Sequence, residues 1–167
     1  MRRKDREITD KNRIKEFIEK EQILRIAFYD EGDIYIVPVN YGYTYDKQYT
    51  FYFHGAIAGR KYELAKANPT VGFEIDGNYT CAESNTPFSF NVTFQSVIGN
   101  GSVCLVEDEE EKKKGLNAIF KQVGACEEWP ANQEIPHNMA IFRLDVNQLS
   151  CKKAKINYIY EKNADKA

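Results

Sequence analysis

The sequence predicts a mainly β (α+β) fold, a closed or split antiparallel β-barrel of six strands with peripheral helices. About six apolar and aromatic runs follow the two-residue alternation of strands, with short turns between them. Only three segments have helical periodicity, and helices do not alternate with strands as they do in a parallel sheet. The length of 167 residues suits one domain spanning 1–167.

The first quarter of the chain predicts one helix and a meander. The N-terminal helix, about 10–20, begins at Asp10, whose carboxylate can cap it. Three strands follow, at 23–29, 34–45 and 48–53. Because Pro38 has no N–H to donate to a ladder, its strand is expected to be interrupted, bulged or at an edge.

The middle of the chain predicts a second helix and two further strands. The helix starts at Arg60 and ends at Asn68, because a residue before proline avoids helical dihedral angles. The strands are 70–77 and 89–107, and 78–88 is a loop or a wide hairpin tip. Gly99 and Gly101 indicate a bulge or bend in the longer strand.

The last third predicts a well-capped helix and the final strand. Asp108 caps the helix over 108–124, acidic residues fill its first turn, and Gly124 can end it. The pairs Glu109/Lys113 and Glu110/Lys114 are spaced for i,i+4 attraction. The final strand is 139–154, and the tail, about 155–167, is expected to fray.

Composition excludes several classes of protein. The formal net charge of −2 does not favour a nucleic-acid partner, and the lack of a long apolar run does not favour a membrane one. No C-x-x-C motif occurs and the two histidines are far apart, so no metal site is expected. We expect a cytoplasmic chain without disulfides.

The segment FHGAIAGRK, residues 53–61, is the strongest candidate site. An aromatic strand gives way to small residues, and Arg60 and Lys61 then open a helix. Two cations at the positive end of a helix dipole are unfavourable, so an anion is expected beside them. A phosphate held by backbone N–H groups and both side chains would fit, and a solvated helix turn is the alternative.

Other candidates are single polar residues in apolar surroundings. His54, at the predicted strand end, could donate to a phosphate or face a substrate, or could simply terminate the strand. Gln95, Ser96 and Asn40 could bond to a ligand edge, with solvent-facing alternation or turn chemistry as the alternative. No spacing typical of a Ser-His-Asp or Cys-His hydrolase is present.

The order IVPVNYGY, FYFHGAIAGRKYELAKANPTVGFEID, FQSVIGNGSV and a charged helix resembles the pyridoxamine 5′-phosphate oxidase-like flavin-binding split barrels. Among these it is most similar to the 5-nitroimidazole-resistance (Nim-like) group. The resemblance extends from the N-terminus to about Leu149, and its most specific part is the small-residue turn, the basic pair, the helix and the Asn-Pro stop. The C-terminal arginine- and tryptophan-containing motif of the vitamin B6 oxidases is not recognisable, so pyridoxamine phosphate oxidation is not implied.

The resemblance implies that the anion is the phosphate of FMN, or of FAD if the 78–88 loop makes room for it. It implies twelve cofactor-binding residues: Val37, Pro38, Val39, Asn40, His54, Gly55, Ala56, Arg60, Lys61, Gln95, Ser96 and Val97. It further implies a homodimer with flavin at the interface, and an oxidoreductase that reduces a small nitro-aromatic using an electron donor, with His54 as the candidate catalytic residue. A non-catalytic flavin- or haem-binding carrier or sensor is the alternative.

Overall fold

The computed structural model describes residues 3–82, 91–125, 128–130 and 133–154. Eight strands and three α-helices follow a short 3₁₀ turn at Lys4–Arg6. The strands are β1 Glu7–Ile8, β2 Ile23–Asp30, β3 Asp33–Asn40, β4 Gly42–Asp46, β5 Gln48–Ala56, β6 Thr70–Ala82, β7 Asn91–Leu105 and β8 Met139–Ala154. The helices are α1 Lys11–Lys20, α2 Arg60–Ala67 and α3 Glu109–Val123. The predicted 155–167 tail and most of the 78–88 loop lie outside the described residues.

The sheet has the order β3-β2-β6-β7-β8-β5-β4, and β1 pairs with β8. All of these pairings are antiparallel. The two end strands, β3 and β4, are consecutive in the chain and are joined by Tyr41 alone. The sheet must therefore curl until its ends meet, which confirms the mainly β split-barrel prediction, whereas the predicted number of six strands was wrong because eight are described.

Several predicted strand boundaries were wrong. The single strand predicted over 34–45 is two strands on opposite ends of the sheet, because the chain changes partner at Tyr41. β5 continues past Phe53 to Ala56, where it pairs with Met139. β6 extends to Ala82 through an irregularity between Gly77 and Thr80. Long-range pairing with β7 and β8 thus extends strands through residues of low strand propensity.

The turn, bulge and cap predictions are confirmed. The β2–β3 hairpin turns through Glu31 (φ 50°) and Gly32 (φ 110°), both in the positive-φ region that tight hairpins use. The β7–β8 register shifts between Asn100 and Gly101. The Asp108 carboxylate accepts from Glu111 N at 2.8 Å, and Gly124 ends α3 at φ 69°.

The predicted salt bridges of α3 have a different spacing. Lys112 pairs with Glu109 at 2.6 Å and Lys113 with Glu110 at 3.3 Å, so both pairs are i,i+3. Both spacings bring two side chains to one face of a helix, and each glutamate pairs with the lysine three residues later instead of the one four residues later.

The core fills the inside of the curled sheet. Its fully buried residues alternate along the strands and include Leu24, Ile26, Phe28, Phe51, Phe53, Ile75, Val97, Phe142 and Leu144. A second cluster lies under α3 and contains Tyr52, Val106, Leu116, Ile119 and Ile141. Among the described residues, no helix combines the length and apolar character that crossing a membrane requires. On the outer face of β3, β2, β6 and β7, several large apolar side chains are exposed, among them Ile34, Ile36 and Ile98.

Candidate functional site

The small-residue segment forms the turn between β5 and α2. Gly59 precedes the helix with φ 97°, a conformation that favours glycine, and no side chain caps the first turn. A Cβ added to Gly59 would meet no atom within 4 Å. The first turn of α2 therefore opens onto free space, as the anion hypothesis requires.

Arg60 has an acidic partner within the chain. Its Nε and Nη2 contact Oδ2 of Asp30 at 2.6 and 2.5 Å, and its guanidinium lies 4.8 Å from the ring centroid of Tyr35. Asp30 and Tyr35 lie on either side of the β2–β3 turn. In the described structure, the negative charge beside Arg60 is the Asp30 carboxylate.

Lys61 points into the end of the barrel. Its ammonium donates to the carbonyl of His54 at 3.2 Å and lies 5.5 and 5.2 Å from the ring centroids of Phe53 and Phe142. Burial lowers the pKa of Lys61. Within the part of the chain that the structure describes, no carboxylate forms a salt bridge with it. Lys61 is a partly desolvated cation without a counter-ion.

Gly55 provides the space that Lys61 occupies. A Cβ at this position would lie 2.7 Å from the Lys61 Nζ and 3.3 Å from the Phe142 ring. A side chain at position 55 would therefore have to displace the end of the Lys61 side chain.

His54 lies in β5 opposite Ile141, and the prediction that it ends the strand was wrong. Its side chain is exposed, and Ala56, two residues further along the strand, is exposed as well. Partial burial and, secondarily, the positive charge of Lys61 lower the pKa of His54. A neutral imidazole at neutral pH, able to donate and accept, is the expected state.

The Val37–Asn40 segment lies on β3, at the end of the sheet. Val39 faces the core and Val37 is partly buried, whereas Pro38 and Asn40 are exposed on the outer face. The Asn40 amide donates to the carbonyl of Gln22 at 3.2 Å. The edge-strand prediction from Pro38 is confirmed.

The Gln95–Val97 segment lies on β7 and is buried on both faces. Val97 and Gln95 point inward, and the Gln95 Oε1 accepts from Asn78 at 3.4 Å. Ser96 points outward, yet it is 6% exposed, and its Oγ has no hydrogen-bond partner among the described residues. A buried hydroxyl without a partner is costly, so it indicates a missing ligand or neighbour.

These segments form two separate groups in one chain. Arg60 contacts Asp30, the last residue of β2. Ser96 pairs with Asp76 of β6, and the β6–β2 register places Asp76 beside the first residues of β2, at its opposite end. At about 3.3 Å per residue, the two ends of β2 are on the order of 20 Å apart. The structure brings His54, Gly55 and Lys61 together but does not bring Ser96 to them.

An apolar patch on the outer face was not predicted from the sequence. Ile34 and Ile36 of β3 are 62% and 60% exposed. With Ile23, Tyr29 and Ile98, which point to the same side of the sheet, they surround Arg25 and its acidic partners Glu74 and Asp76. The sequence could have predicted the patch, because the segments 23–29 and 34–40 carry large apolar residues at both odd and even positions and therefore on both faces of their strands.

The function-related contact that sequence reasoning missed is that of Asp30 with Arg60. In the sequence, Asp30 is simply a polar residue between the strands predicted at 23–29 and 34–45. No local pattern links two residues 30 positions apart. Only the hairpin geometry, which returns the chain beside α2, brings them together.

Solved structures with this architecture were found. A protein from Bacteroides thetaiotaomicron, provisionally described as a 5-nitroimidazole antibiotic resistance protein, is 25% identical with a TM-score of 0.70, over 88% of this chain and 86% of that one. A flavocytochrome from Azotobacter vinelandii is 18% identical with a TM-score of 0.74, over 94% and 72%. An FAD and haem binding protein from Mycobacterium smegmatis is 12% identical with a TM-score of 0.74, over 90% and 74%.

No curated protein matches the chain. A family model does match, and it covers residues 10–153, from the cap of α1 to the end of β8. The match includes the His54–Lys61 turn, strands β2 and β3 of the outer face and the Gln95–Val97 segment. This chain belongs to the pyridoxamine 5′-phosphate oxidase family.

Proposed function

We propose that this protein is a flavin-binding oxidoreductase that holds the phosphate of FMN at the α2 turn and reduces a small nitro-aromatic compound. The observation that carries the proposal is Lys61, a partly buried ammonium without a carboxylate partner in the described structure. A phosphate would supply the missing charge at a helix start that already offers free N–H groups. The names of similar structures support a flavin, since one is a flavocytochrome and another is an FAD and haem binding protein.

The residues present fit a flavin phosphate. Gly59 leaves the first turn of α2 open, Lys61 supplies an uncompensated charge, and Arg60 keeps N–H groups that Asp30 does not use. An anion beside Lys61 would stabilise its charged form and offset the desolvation that lowers its pKa. When bound, a flavin supplies the electron or hydride transfer, and the chain supplies binding, orientation and exclusion of water.

The ring-binding residues are proposed to come from two subunits. Pro38 and Asn40 are exposed on the outer face of β3, and the Ser96 hydroxyl, which has no hydrogen-bond partner among the described residues, points to the same side of the sheet. Because Ser96 is far from Lys61 within one chain, we assign it to the site that contains the partner's phosphate turn. Two copies pairing through the Ile34 and Ile36 patch would form an isologous dimer of this kind.

The nitro-aromatic substrate class is proposed from the similarity to the Bacteroides protein. His54 is the proposed substrate-facing residue, because its side chain is exposed, its backbone carbonyl accepts from Lys61 and its lowered pKa favours the neutral form. Replacing His54 with Ala should lower kcat for nitro-aromatic reduction while leaving FMN affinity within about threefold. An unchanged kcat would remove His54 from the chemistry.

The first experiment is the visible spectrum of the purified protein, followed by release and identification of the chromophore. Flavin bands are expected, and a sharp haem band instead would favour the carrier or sensor alternative. In an Arg60→Ala/Lys61→Ala variant, FMN affinity should fall by at least roughly a hundredfold, since each charged hydrogen bond contributes about 1.5–3 kcal/mol. A Lys11→Ala/Lys15→Ala variant, which removes two exposed α1 cations, is the matched control.

A colourless protein that takes up neither FMN nor FAD would overturn the flavin proposal. Equal FMN affinity in the Arg60/Lys61 variant and its control would place the phosphate elsewhere.

The dimer is tested separately by sedimentation equilibrium. An Ile36→Glu variant places a charge in the patch and should sediment as a monomer at concentrations where the wild type is a dimer. Tyr45→Glu changes an exposed apolar residue away from that face and should leave the dimer intact. A monomeric wild type, or a dimer that resists Ile36→Glu, would contradict this assembly.

A further inference from the structure

Asp30 and Arg60 form a contact that the proposed function does not require. Two nitrogens of one guanidinium edge, Nε and Nη2, are directed to a single carboxylate oxygen of Asp30. The Tyr35 ring covers one face of the same guanidinium. One edge of the Arg60 guanidinium is therefore already bound by an anion.

A second anion at this arginine must displace the carboxylate or bind beside it. If it displaces Asp30, the charged pair is lost; if it binds the remaining Nη1 edge, two negative groups share one cation. Two negative groups a few ångströms apart repel each other both in water and in the protein interior, and the repulsion grows as water is excluded. Lys61, which has no such competitor among the described residues, would remain fully available.

We propose that Asp30 is an internal competitor for Arg60 that weakens binding of the phosphate-bearing ligand, so that Asp30 sets the strength and phosphate selectivity of the site. The proposal rests on the phosphate site proposed above. In this proposal the negative charge beside Arg60 is Asp30 without ligand, and the ligand phosphate provides it for both first-turn cations when bound.

The opposite role would be positioning, in which Asp30 and Tyr35 hold Arg60 ready for the phosphate. An exposed ion pair contributes little to ordering, because its attraction is screened and the side chains lose entropy. Arg60 is 51% exposed in this pair, and the Tyr35 ring would still orient it without Asp30. Repulsion therefore outweighs preorganisation, and removal of the Asp30 charge should strengthen phosphate binding.

The test compares FMN with riboflavin, which has the same ring without the phosphate, by flavin fluorescence titration of the apoprotein. In Asp30→Asn, FMN should bind about three- to tenfold more tightly and riboflavin should be unchanged. Asp30→Ser should behave in the same way, and it guards against a specific effect of the new amide.

Asp33→Asn is the matched control. Asp33 pairs directly with Asp30 across the same hairpin and is exposed, but no contact joins it to Arg60 in the described structure. It removes the same charge from the same turn and should change the FMN-to-riboflavin affinity ratio by less than twofold. In an Arg60→Ala background, Asp30→Asn should lose most of its effect, since Asp30 acts through Arg60.

The outcomes separate the two proposals. Weaker FMN binding in Asp30→Asn would show that Asp30 positions Arg60, and equal effects of Asp30→Asn and Asp33→Asn would show only a general charge effect; both overturn the competitor role and leave the flavin site standing. If the wild type binds FMN no better than riboflavin, the phosphate site fails, and the role of Asp30 fails with it.

Discussion

At the scale of single residues, the basic pair that opens α2 consists of two different cations. Arg60 is exposed and paired with Asp30, whereas Lys61 is partly buried against Phe53 and Phe142. Adjacent residues of a helix point about 100° apart, so one faces the β2–β3 turn and the other the barrel end. The planar guanidinium of arginine can direct two N–H groups to the Asp30 carboxylate. The slender side chain of lysine fits the narrow space above Gly55.

Gly55→Ala tests whether the position of Lys61 depends on this glycine. The added methyl group would lie 2.7 Å from the Lys61 Nζ, so the ammonium must move away from the His54 carbonyl. We expect weaker FMN binding and a loss of no more than about 1 kcal/mol in the free energy of unfolding, because the flexible end of Lys61 can move aside. Gly72→Ala is the control, because its methyl group would meet nothing closer than 3.9 Å. Equal FMN affinities for the two variants would contradict this dependence.

At the scale of elements, helix ends were predictable and strand ends were not. Asp10, Asp108 and Gly124 act on backbone groups within a few residues, so their local pattern determines where α1 and α3 begin or end. The extension of β5 through His54, Gly55 and Ala56 depends on pairing with β8, about 85 residues later. The candidate phosphate turn was predictable for the same local reason as the caps, whereas Asp30 and the outer patch required the sheet order.

Gly42→Ala tests the direct packing of α3 on β4. A Cβ on Gly42 would overlap the backbone of Ala118 and Ile119, which cannot rotate away as a side chain can. The helix must shift, and we expect a loss of about 2–3 kcal/mol in the free energy of unfolding. Gly115→Ala, on α3 itself, meets the side chains of Tyr52 and Ile141 and also gains helix propensity, so it should cost less. Urea denaturation that ranks the two variants in the opposite order would contradict the backbone-contact argument.

At the scale of the whole molecule, one polar cluster connects the sheet ends to two helices. The Tyr41 hydroxyl, between β3 and β4, donates to the carbonyl of Ile18 at 2.6 Å. The Gln122 amide of α3 donates to the carbonyls of Ile18, Glu19 and Glu21 at 2.7, 3.2 and 2.7 Å. The free carbonyls at the end of α1 are thereby satisfied by Tyr41, 23 residues from Ile18, and by Gln122, about 100 residues away, a closure that no local pattern could predict.

Gln122→Glu should break this closure in a pH-dependent way. The amide donor becomes a carboxylate that faces three carbonyl oxygens, which raises its folded-state pKa above the unfolded value of about 4.3. The folded state then binds more protons than the unfolded state, so the free energy of unfolding falls as pH rises from about 4. Gln122→Met removes the same hydrogen bonds without a charge and should cost about 1–2 kcal/mol at every pH. Urea denaturation of both variants from pH 4 to pH 7.5 should show the Glu variant approaching the Met variant at pH 4 and falling further below it towards neutral pH. A constant difference between them would mean that the Gln122 side chain does not face the α1 carbonyls.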